Sequence, residues 1–354
     1  MKMFSDYIID SKILINNVKN IRKQLNKRVK LCAVVKANAY GMGIKNITNI
    51  IKDYVDIFAV ACIKEAIELR ELNNDCEILI LGVVDVKDYD MCVKNNFIIS
   101  ISNIEQLKRV NDVNLKFHLQ VNTGLNRFGF KSITEFNKAI KFISKNKLNL
   151  NGVYSHFATK SQDIQFMKRQ FLRFNQFKKL VKSPNVIFHI ANSYATISNE
   201  RYQLDMIRSG FLLYGDIENK IGNKCVLSIK SKIINIININ KGESVGYDRT
   251  FISNKKMIIG VVPLGYADGF DRRLSNNFSV LINGYKCKVI GNICMDVFMV
   301  DLTTCGGVVG DEVVLLGHQG KYKISLNDYA KTLNTSPYEV LLKFNYKRMN
   351  YIVE

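Results

Sequence analysis

Lys36 is the first residue whose type and position suggest chemistry. It directly follows an apolar run, Leu31–Val35, and precedes a stretch that contains Gly41 and Gly43. A charged amine at the end of an apolar strand is unfavourable unless it is charge-paired, deprotonated or covalently used. A deprotonated lysine is a nucleophile that forms an imine with a carbonyl group. The alternative is an ordinary lysine whose amine reaches water, so Lys36 alone does not define a site.

Further polar residues end later apolar runs or lie in the loops that follow them: Arg127, His156, Asn192, Ser193 and Arg208. If these runs are parallel strands of one barrel, their carboxyl ends meet at one rim. A lysine, two arginines, a histidine and a serine on one rim suit an anionic, carbonyl-bearing cofactor with a phosphate group. The sequence contains neither a P-loop nor a GxGxxG fingerprint, which argues against a nucleotide cofactor.

The scaffold is predicted from the spacing of the apolar residues. A first helix begins at Asp10 or Ser11, and amphipathic helical segments then alternate with strand-like runs. The eight runs are 31–35, 57–61, 77–81, 97–101, 116–121, 150–155, 186–190 and 204–208. Runs that are apolar on both faces and alternate with helices predict an α/β fold, an N-terminal (β/α)8 TIM barrel over residues 11–220.

After Gly215 the pattern changes to β-type runs separated by turn signals such as Asn283-Gly284. The runs are Cys225–Ile239, Met257–Val262, Ser279–Ile282, Lys286–Ile290 and Glu312–Leu316, followed by a helical stretch near 325–333. We therefore predict a mainly β C-terminal domain over residues 221–354. The β-like segment Tyr7–Ile9 suggests that residues 1–10 could join it.

Composition narrows the class of protein. The 354 residues are 47% hydrophobic, with no secretory signal and no apolar stretch near the ~20 residues that a membrane span needs, which favours a cytoplasmic protein. The net charge is +20, but the densest basic stretch, Lys168–Lys182, carries apolar residues at helical spacing and is interpreted as a solvated helix face. We expect no nucleic-acid or membrane partner. The eight cysteines include no CxxC pair, so no metal site is expected.

The chain also resembles a known family over nearly its whole length. Ala33–Gly41, which reads Ala-Val-Val-Lys-Ala-Asn-Ala-Tyr-Gly, is similar to the pyridoxal phosphate attachment motif of alanine racemases, which are fold-type III pyridoxal phosphate enzymes. Further matching segments are Asn122–Gly129, Ser155–Thr159, His189–Ser193, Ile207–Gly210, Leu213–Gly215, Val245–Tyr247, Pro263–Gly269 and Gly291–Asp296. In this order and spacing, the segments are highly specific.

The resemblance implies the catalytic pair. Lys36 is implied to hold pyridoxal 5'-phosphate covalently and to act as the acid/base on one face of the substrate. Tyr247, in the β domain, is implied to be the opposing base in the active site of a partner subunit, which makes a homodimer the expected assembly. Racemisation removes a proton from one face and returns one to the other, so two bases are needed.

The resemblance also implies the binding residues. Arg208 is implied to face the pyridine nitrogen with support from His189, and His156 to stack near the ring. The residues implied to surround the cofactor and its phosphate are Tyr40, Asn192, Ser193, Gly210 and Tyr214. The residues implied to contact the substrate are Arg127, Met295 and Tyr346.

One position departs from the family pattern. Many members carry a carbamylated lysine seven residues before the loop arginine, and it orients that arginine; here the position is Gln120. Our hypothesis is that neutral Gln120, or a bound anion, positions Arg127 instead.

Three other functions remain open at this stage. The first is a racemase for serine or for several amino acids. Alanine and serine differ by one hydroxyl group, and the sequence of the pocket near Met295 and Tyr346 does not distinguish them. The second is a related decarboxylase, against which Arg208 argues. The third is a single-barrel pyridoxal phosphate carrier, against which the β domain argues.

Overall fold

The computed structural model describes residues 3–72, 75–159, 163–215 and 220–354. The chain forms two compact units. The barrel unit comprises Leu14–Ala39 and Gly43–Lys224, and the β unit comprises Met1–Ile13, Tyr40–Met42 and Cys225–Glu354. The predicted boundary between residues 220 and 221 lies close to residues 216–219, which are outside the described residues. This boundary stays a prediction.

The barrel unit contains eight parallel strands that pair in chain order. The two ends of this ladder are joined by backbone hydrogen bonds, from Asp205 N to Phe188 O and from Arg208 N to Ala191 O, both 3.0 Å long. The predicted fold class is therefore confirmed. Numbered along the chain after β1 (Asp6–Ile9) of the β unit, the barrel strands are β2 (Lys30–Val34), β3 (Ile57–Val60), β4 (Glu77–Ile80), β5 (Phe97–Ile101), β6 (Lys116–Gln120), β7 (Leu150–Tyr154), β8 (Ile187–His189) and β9 (Met206–Ser209).

Helices connect the barrel strands. The first begins at Ser11, and Asp10 accepts a hydrogen bond from the Ile13 amide, as expected for an N-cap. The helices are Ser11–Lys23, Ile44–Ile51, Ile63–Glu71, Tyr89–Lys94, Ile104–Lys108, Ile133–Asn146, Ile164–Lys178, Ser193–Ser198 and Phe211–Tyr214. The basic helix Ile164–Lys178 buries Met167, Phe174 and Phe177, so its apolar spacing reflects packing, as predicted.

The β unit is built on a ten-stranded sheet in which β1 pairs antiparallel with β10 and parallel with β20. Its other strands are β10 (Leu227–Lys232), β11 (Asn235–Ile239), β12 (Ser244–Val245), β13 (Phe251–Ile252), β14 (Met257–Val262), β15 (Ser279–Ile282), β16 (Tyr285–Ile290), β17 (Phe298–Asp301), β18 (Glu312–Gln319), β19 (Tyr322–Ile324) and β20 (Asn350–Val353), of which β12 and β13 form a separate hairpin. Two helices, Leu326–Leu333 and Pro337–Lys343, complete the unit.

The structure corrects two strand predictions. The eighth barrel strand begins at Met206 rather than at 204, because Leu204 has a positive φ of 51° that places it in a turn. The run Cys225–Ile239 is two strands rather than one. It divides at Ile233 and Ile234, whose amides bond to the carbonyls of Asp311 and Val261, so the chain passes from one partner strand to another.

Candidate active site

Lys36 lies at the carboxyl end of β2, one residue beyond Val35, and its side chain is half-buried. Burial lowers the pKa of this amine, and the positive charges of Arg127 and Arg208 lower it further, while the Glu65 carboxylate opposes them. A lower pKa increases the fraction of the neutral amine, which is the nucleophilic form.

The backbone directly after Lys36 is strained. Ala37–Tyr40 all have φ between 53° and 57°, in the left-handed region that residues with a Cβ normally visit singly. Each such residue costs about 1–2 kcal/mol. The turn is held in part by the Asn38 side-chain oxygen, which accepts a hydrogen bond of 2.8 Å from the Ile44 amide. The chain therefore reverses sharply at the point where the reactive amine is attached.

Arg208 is buried, with only 4% of its surface exposed, and the groups that accept its hydrogen bonds are neutral. Its guanidinium donates to His189 Nδ1 at 2.5 Å, to the Ser155 carbonyl at 2.7 Å and to His156 Nδ1 at 3.2 Å. It also lies 5.1 Å from the centre of the Tyr154 ring. Within the described ranges no carboxylate pairs with this cation. The predicted hydrogen bond between His189 and Arg208 is confirmed.

The donor character of Arg208 fixes the proton positions of two buried histidines. Because a guanidinium only donates, His189 Nδ1 accepts and its proton lies on Nε2. That nitrogen lies 3.0 Å from His118 Nδ1, so it donates there and His118 carries its proton on Nε2. Burial and the Arg208 charge lower the pKa of His118 to about 3 and that of His189 well below its usual value. The His118 ring lies against Gly152, where an added Cβ would come within 2.7 Å of it.

Gln120 does not orient Arg127, which corrects that part of the hypothesis. The Gln120 side-chain oxygen accepts from the Tyr154 hydroxyl at 3.1 Å and from the Ser102 hydroxyl at 3.4 Å. No hydrogen bond joins Gln120 to Arg127 in the part of the chain that is described. The exposed Arg127 guanidinium lies 6.0 Å from the Phe128 ring. Gln120 instead holds Tyr154, the aromatic ring beside Arg208.

The Ser193 hydroxyl lies where the chain leaves β8 and β9 and can donate one hydrogen bond. The Ser193 hydroxyl oxygen accepts from the Gly210 amide at 3.0 Å and from the Leu212 amide at 3.4 Å. Its own proton is therefore directed elsewhere and suits an anionic oxygen. Asn192 caps the helix Ser193–Ser198 by accepting from the Ala195 amide at 3.0 Å.

The two tyrosines predicted to bind phosphate differ. Tyr214 is fully buried and donates its hydroxyl proton to the Val34 carbonyl at 3.1 Å. It has no second proton for a phosphate, so we leave it out of the proposed phosphate site. Tyr40 lies in the β unit, packed against the Tyr338 ring at 6.2 Å. Burial raises the pKa of Tyr40, which keeps its hydroxyl protonated and able to donate.

Tyr247 projects from the β unit with 69% of its surface exposed. Its backbone is held between Gly246 and Asp248, which both have positive φ. The Asn292 amide donates to the Tyr247 carbonyl at 3.1 Å and to the Asp248 carboxylate at 3.0 Å, and Arg272 pairs with the same carboxylate at 3.2 Å. A tyrosine that is exposed yet fixed at its backbone suits a role at a neighbouring surface.

Met295 and Tyr346 also lie in the β unit. Met295 is 53% exposed, while Tyr346 is half-buried and packs against the rings of Tyr7 and Tyr351 at 5.9 and 5.2 Å. The sequence-predicted residues therefore fall into two sets. The barrel rim carries Lys36, Arg127, His156, Asn192, Ser193, Arg208 and Gly210, and the β unit carries Tyr40, Tyr247, Met295 and Tyr346.

Sequence reasoning missed three residues that contact the site. They are His118, Tyr154 and Glu65. His118 is a polar residue between apolar neighbours in β6, and Tyr154 directly precedes the Ser155–Thr159 motif, so both carried a signal. Glu65 carried no such signal, because an acidic residue in the first turn of a helix is common.

Among the described residues, no cluster of three or more His, Cys, Asp or Glu side chains is arranged to hold a metal ion. No helix in the same ranges is long and apolar enough to cross a membrane.

Comparison with protein families identifies the class to which this fold and rim belong. The model of the alanine racemase N-terminal domain matches residues 9–218, and that of the C-terminal domain matches residues 226–352. The chain belongs to the alanine racemase family.

Individual relatives and solved structures agree with this assignment. Alanine racemase 2 of Caldanaerobacter subterraneus subsp. tengcongensis is 35% identical over 92% of this chain and 89% of the relative. The alanine racemase of Streptococcus equi subsp. zooepidemicus is 33% identical over 94% of each chain. The crystal structure of alanine racemase from E. faecalis covers 99% of this chain and 98% of its own, with a TM-score of 0.94 and 31% identity. The biosynthetic alanine racemase of Pseudomonas aeruginosa covers 100% of both chains, with a TM-score of 0.90 and 28% identity.

The lowered histidine pKa values predict a pH-dependent stability. Unfolded His118 takes up a proton near pH 6.5, whereas the folded side chain does so only near pH 3. The free energy of unfolding should therefore fall as the pH falls through this window, by up to about 1.4 kcal/mol per pH unit for each such histidine. In urea unfolding between pH 6.5 and 5, His118→Asn should reduce this slope by about one proton.

An equal slope in His118→Asn and wild type would mean that His118 is not held neutral in the folded protein.

Proposed function

We propose that this chain is a pyridoxal phosphate-dependent alanine racemase that interconverts L- and D-alanine. The observation that carries the proposal is the buried Arg208, whose hydrogen-bond partners among the described residues are neutral, on the same barrel rim as Lys36 with its lowered pKa. An arginine cannot give up its proton, so a pyridine nitrogen facing it stays unprotonated and the ring withdraws electrons less strongly. That setting favours reversible proton removal over reactions that require a stronger electron sink.

The residues present fit pyridoxal phosphate. Lys36 supplies an amine of lowered pKa for attachment, and the Ser193 hydroxyl supplies a donor for the phosphate. Tyr40, Asn192 and Gly210 are proposed around the same group, with His156 beside the ring. When bound, this cofactor provides a carbonyl for the amino group and a conjugated ring that draws electrons from the α-carbon.

The proton transfers are assigned to two residues. We assign Lys36 to one face of the α-carbon and Tyr247 of the partner subunit to the other, because inversion requires a base on each face. Arg127 is proposed to bind the substrate carboxylate. Met295 of the partner subunit and Tyr346 are proposed to limit the side-chain pocket. A homodimer follows from this sharing.

In the cell, we place the enzyme in the cytoplasm, where it would supply D-alanine for peptidoglycan. Serine is the second candidate substrate, because one hydroxyl group in a small pocket changes binding by only about 1–3 kcal/mol. Alanine is preferred because the relatives named above are alanine racemases.

The substrate is tested by incubating the holoenzyme with L-alanine in deuterated water. We expect α-proton exchange together with loss of optical activity, faster than with L-serine. Lys36→Ala should lower both rates by at least 10²–10⁴-fold, the usual contribution of one positioned acid/base.

Turnover of serine alone would transfer the proposal to a serine racemase. No turnover of either amino acid would contradict racemase activity. The decarboxylase and the carrier would then be the remaining candidate functions.

The shared site is tested by mixing two inactive variants, Lys36→Ala and Tyr247→Phe, under conditions that exchange subunits. Half of the dimers should then be mixed, and each mixed dimer should contain one intact site, so about one quarter of wild-type activity should return. Activity that stays at the level of the separate variants would contradict a Tyr247 supplied by the partner.

A further inference from the structure

The Glu65 carboxylate binds two backbone amides at the ends of neighbouring barrel strands. One oxygen accepts from the Ala37 N–H at 2.6 Å, and the other accepts from the Ala61 N–H at 2.7 Å. Ala37 is the residue after Lys36, and Ala61 is the residue after β3. Both contacts are charge-assisted hydrogen bonds, which are shorter and stronger than neutral ones.

The Ala37 amide is the first donor of the left-handed turn. In a turn of this kind the first N–H groups have no partner inside the turn, as at the start of any helix. Because β2 and β3 are paired in the barrel, a carboxylate that joins the ends of both strands ties the strained segment to the rigid sheet.

We propose that Glu65 is a positioning residue that fixes the Lys36 amine by clamping the backbone of the left-handed turn behind it. The clamp itself consists of contacts within the chain, and its value for catalysis rests on the proposed attachment of pyridoxal phosphate to Lys36. Glu65 is not assigned contact with substrate or cofactor.

An acidic residue in the first turn of a helix commonly acts only on the helix dipole. Two features of Glu65 go beyond that role. Both of its oxygens bond to amides outside the helix Ile63–Glu71, and one of those amides is 28 residues away in the chain. Glu68 lies on the same helix, is exposed, and makes no hydrogen bond or ion pair with the described residues. It therefore serves as the matched control.

Glu65 also acts on the charge of Lys36. Its carboxylate raises the pKa of the amine against the lowering effects of burial and of the two arginines. A variant that keeps the shape but loses the charge should therefore shift cofactor attachment to lower pH. Glu65→Asp keeps the charge but shortens the side chain. It should lose the clamp, and its pH profile of cofactor attachment should shift much less.

The direct test is amide hydrogen exchange of the purified protein by mass spectrometry. In Glu65→Gln, at least one of the peptides that contain Ala37 and Ala61 should exchange about tenfold faster or more, because the new side chain keeps one acceptor oxygen and its NH2 group cannot accept from a backbone N–H. Glu65→Asp, which is one methylene shorter, should also exchange faster at Ala37. Glu68→Gln should match wild type in both peptides.

The clamp is overturned if Glu65→Gln and Glu65→Asp both exchange like wild type. It is also overturned if Glu68→Gln accelerates exchange equally, because the acceleration would then result from losing any negative charge on this helix rather than from losing the two hydrogen bonds.

The second measurement is the pH dependence of pyridoxal phosphate attachment to Lys36, trapped by chemical reduction and located by peptide mapping. Wild type and Glu68→Gln should share one profile, and Glu65→Gln should attach more slowly with its profile displaced to lower pH. Unchanged rates and profile in Glu65→Gln would contradict a role in positioning Lys36. If wild type itself does not attach the cofactor at Lys36, the proposed function fails, while the exchange data still decide whether the clamp exists.

Discussion

A buried guanidinium that has no carboxylate partner among the described residues governs the chemistry of the barrel rim. Burying a charge without a counter-charge has a large desolvation free energy, which dipoles and hydrogen bonds must offset. Two histidine nitrogens, a backbone carbonyl and the face of the Tyr154 ring offset it for Arg208. Burial and, after it, the same positive charge lower the pKa values of His118, His156 and His189. The charge also adds to the effects of burial and Arg127 that lower the pKa of Lys36.

This arrangement requires a long supporting chain of neutral groups. The tautomers of His189 and His118 follow from the donor character of Arg208, and Gly152 leaves room for the His118 ring. Tyr154 stacks on His189 at 4.9 Å and bonds through its hydroxyl to Gln120 and Ser100. Gln120 thus supports Tyr154, the ring beside Arg208, rather than the loop residue Arg127.

The barrel fold itself was predictable, because eight apolar runs alternating with helical patterns leave few other solutions. The β unit was harder to predict from sequence, because short strands such as β12 and β17 bury few residues and their pairing depends on distant partners. At the rim, motifs identified Lys36, Arg208 and Ser193. They did not identify contacts made by side chains far apart in sequence, such as that between Glu65 and Ala37, or the commitment of the Tyr214 hydroxyl to Val34. Such contacts depend on the folded backbone rather than on local pattern.

The central claim is that two different residues carry the α-proton on opposite faces of alanine. It is tested most directly by following α-proton exchange of L-alanine and of D-alanine separately in the Tyr247→Phe holoenzyme, with Tyr285→Phe, another exposed β-unit tyrosine, as control. The account predicts that Tyr247→Phe loses exchange with one enantiomer by 10²-fold or more, retains it with the other, and no longer racemises either. Equal retention of exchange with both enantiomers, accompanied by racemisation, would contradict it, because one base would then be serving both faces.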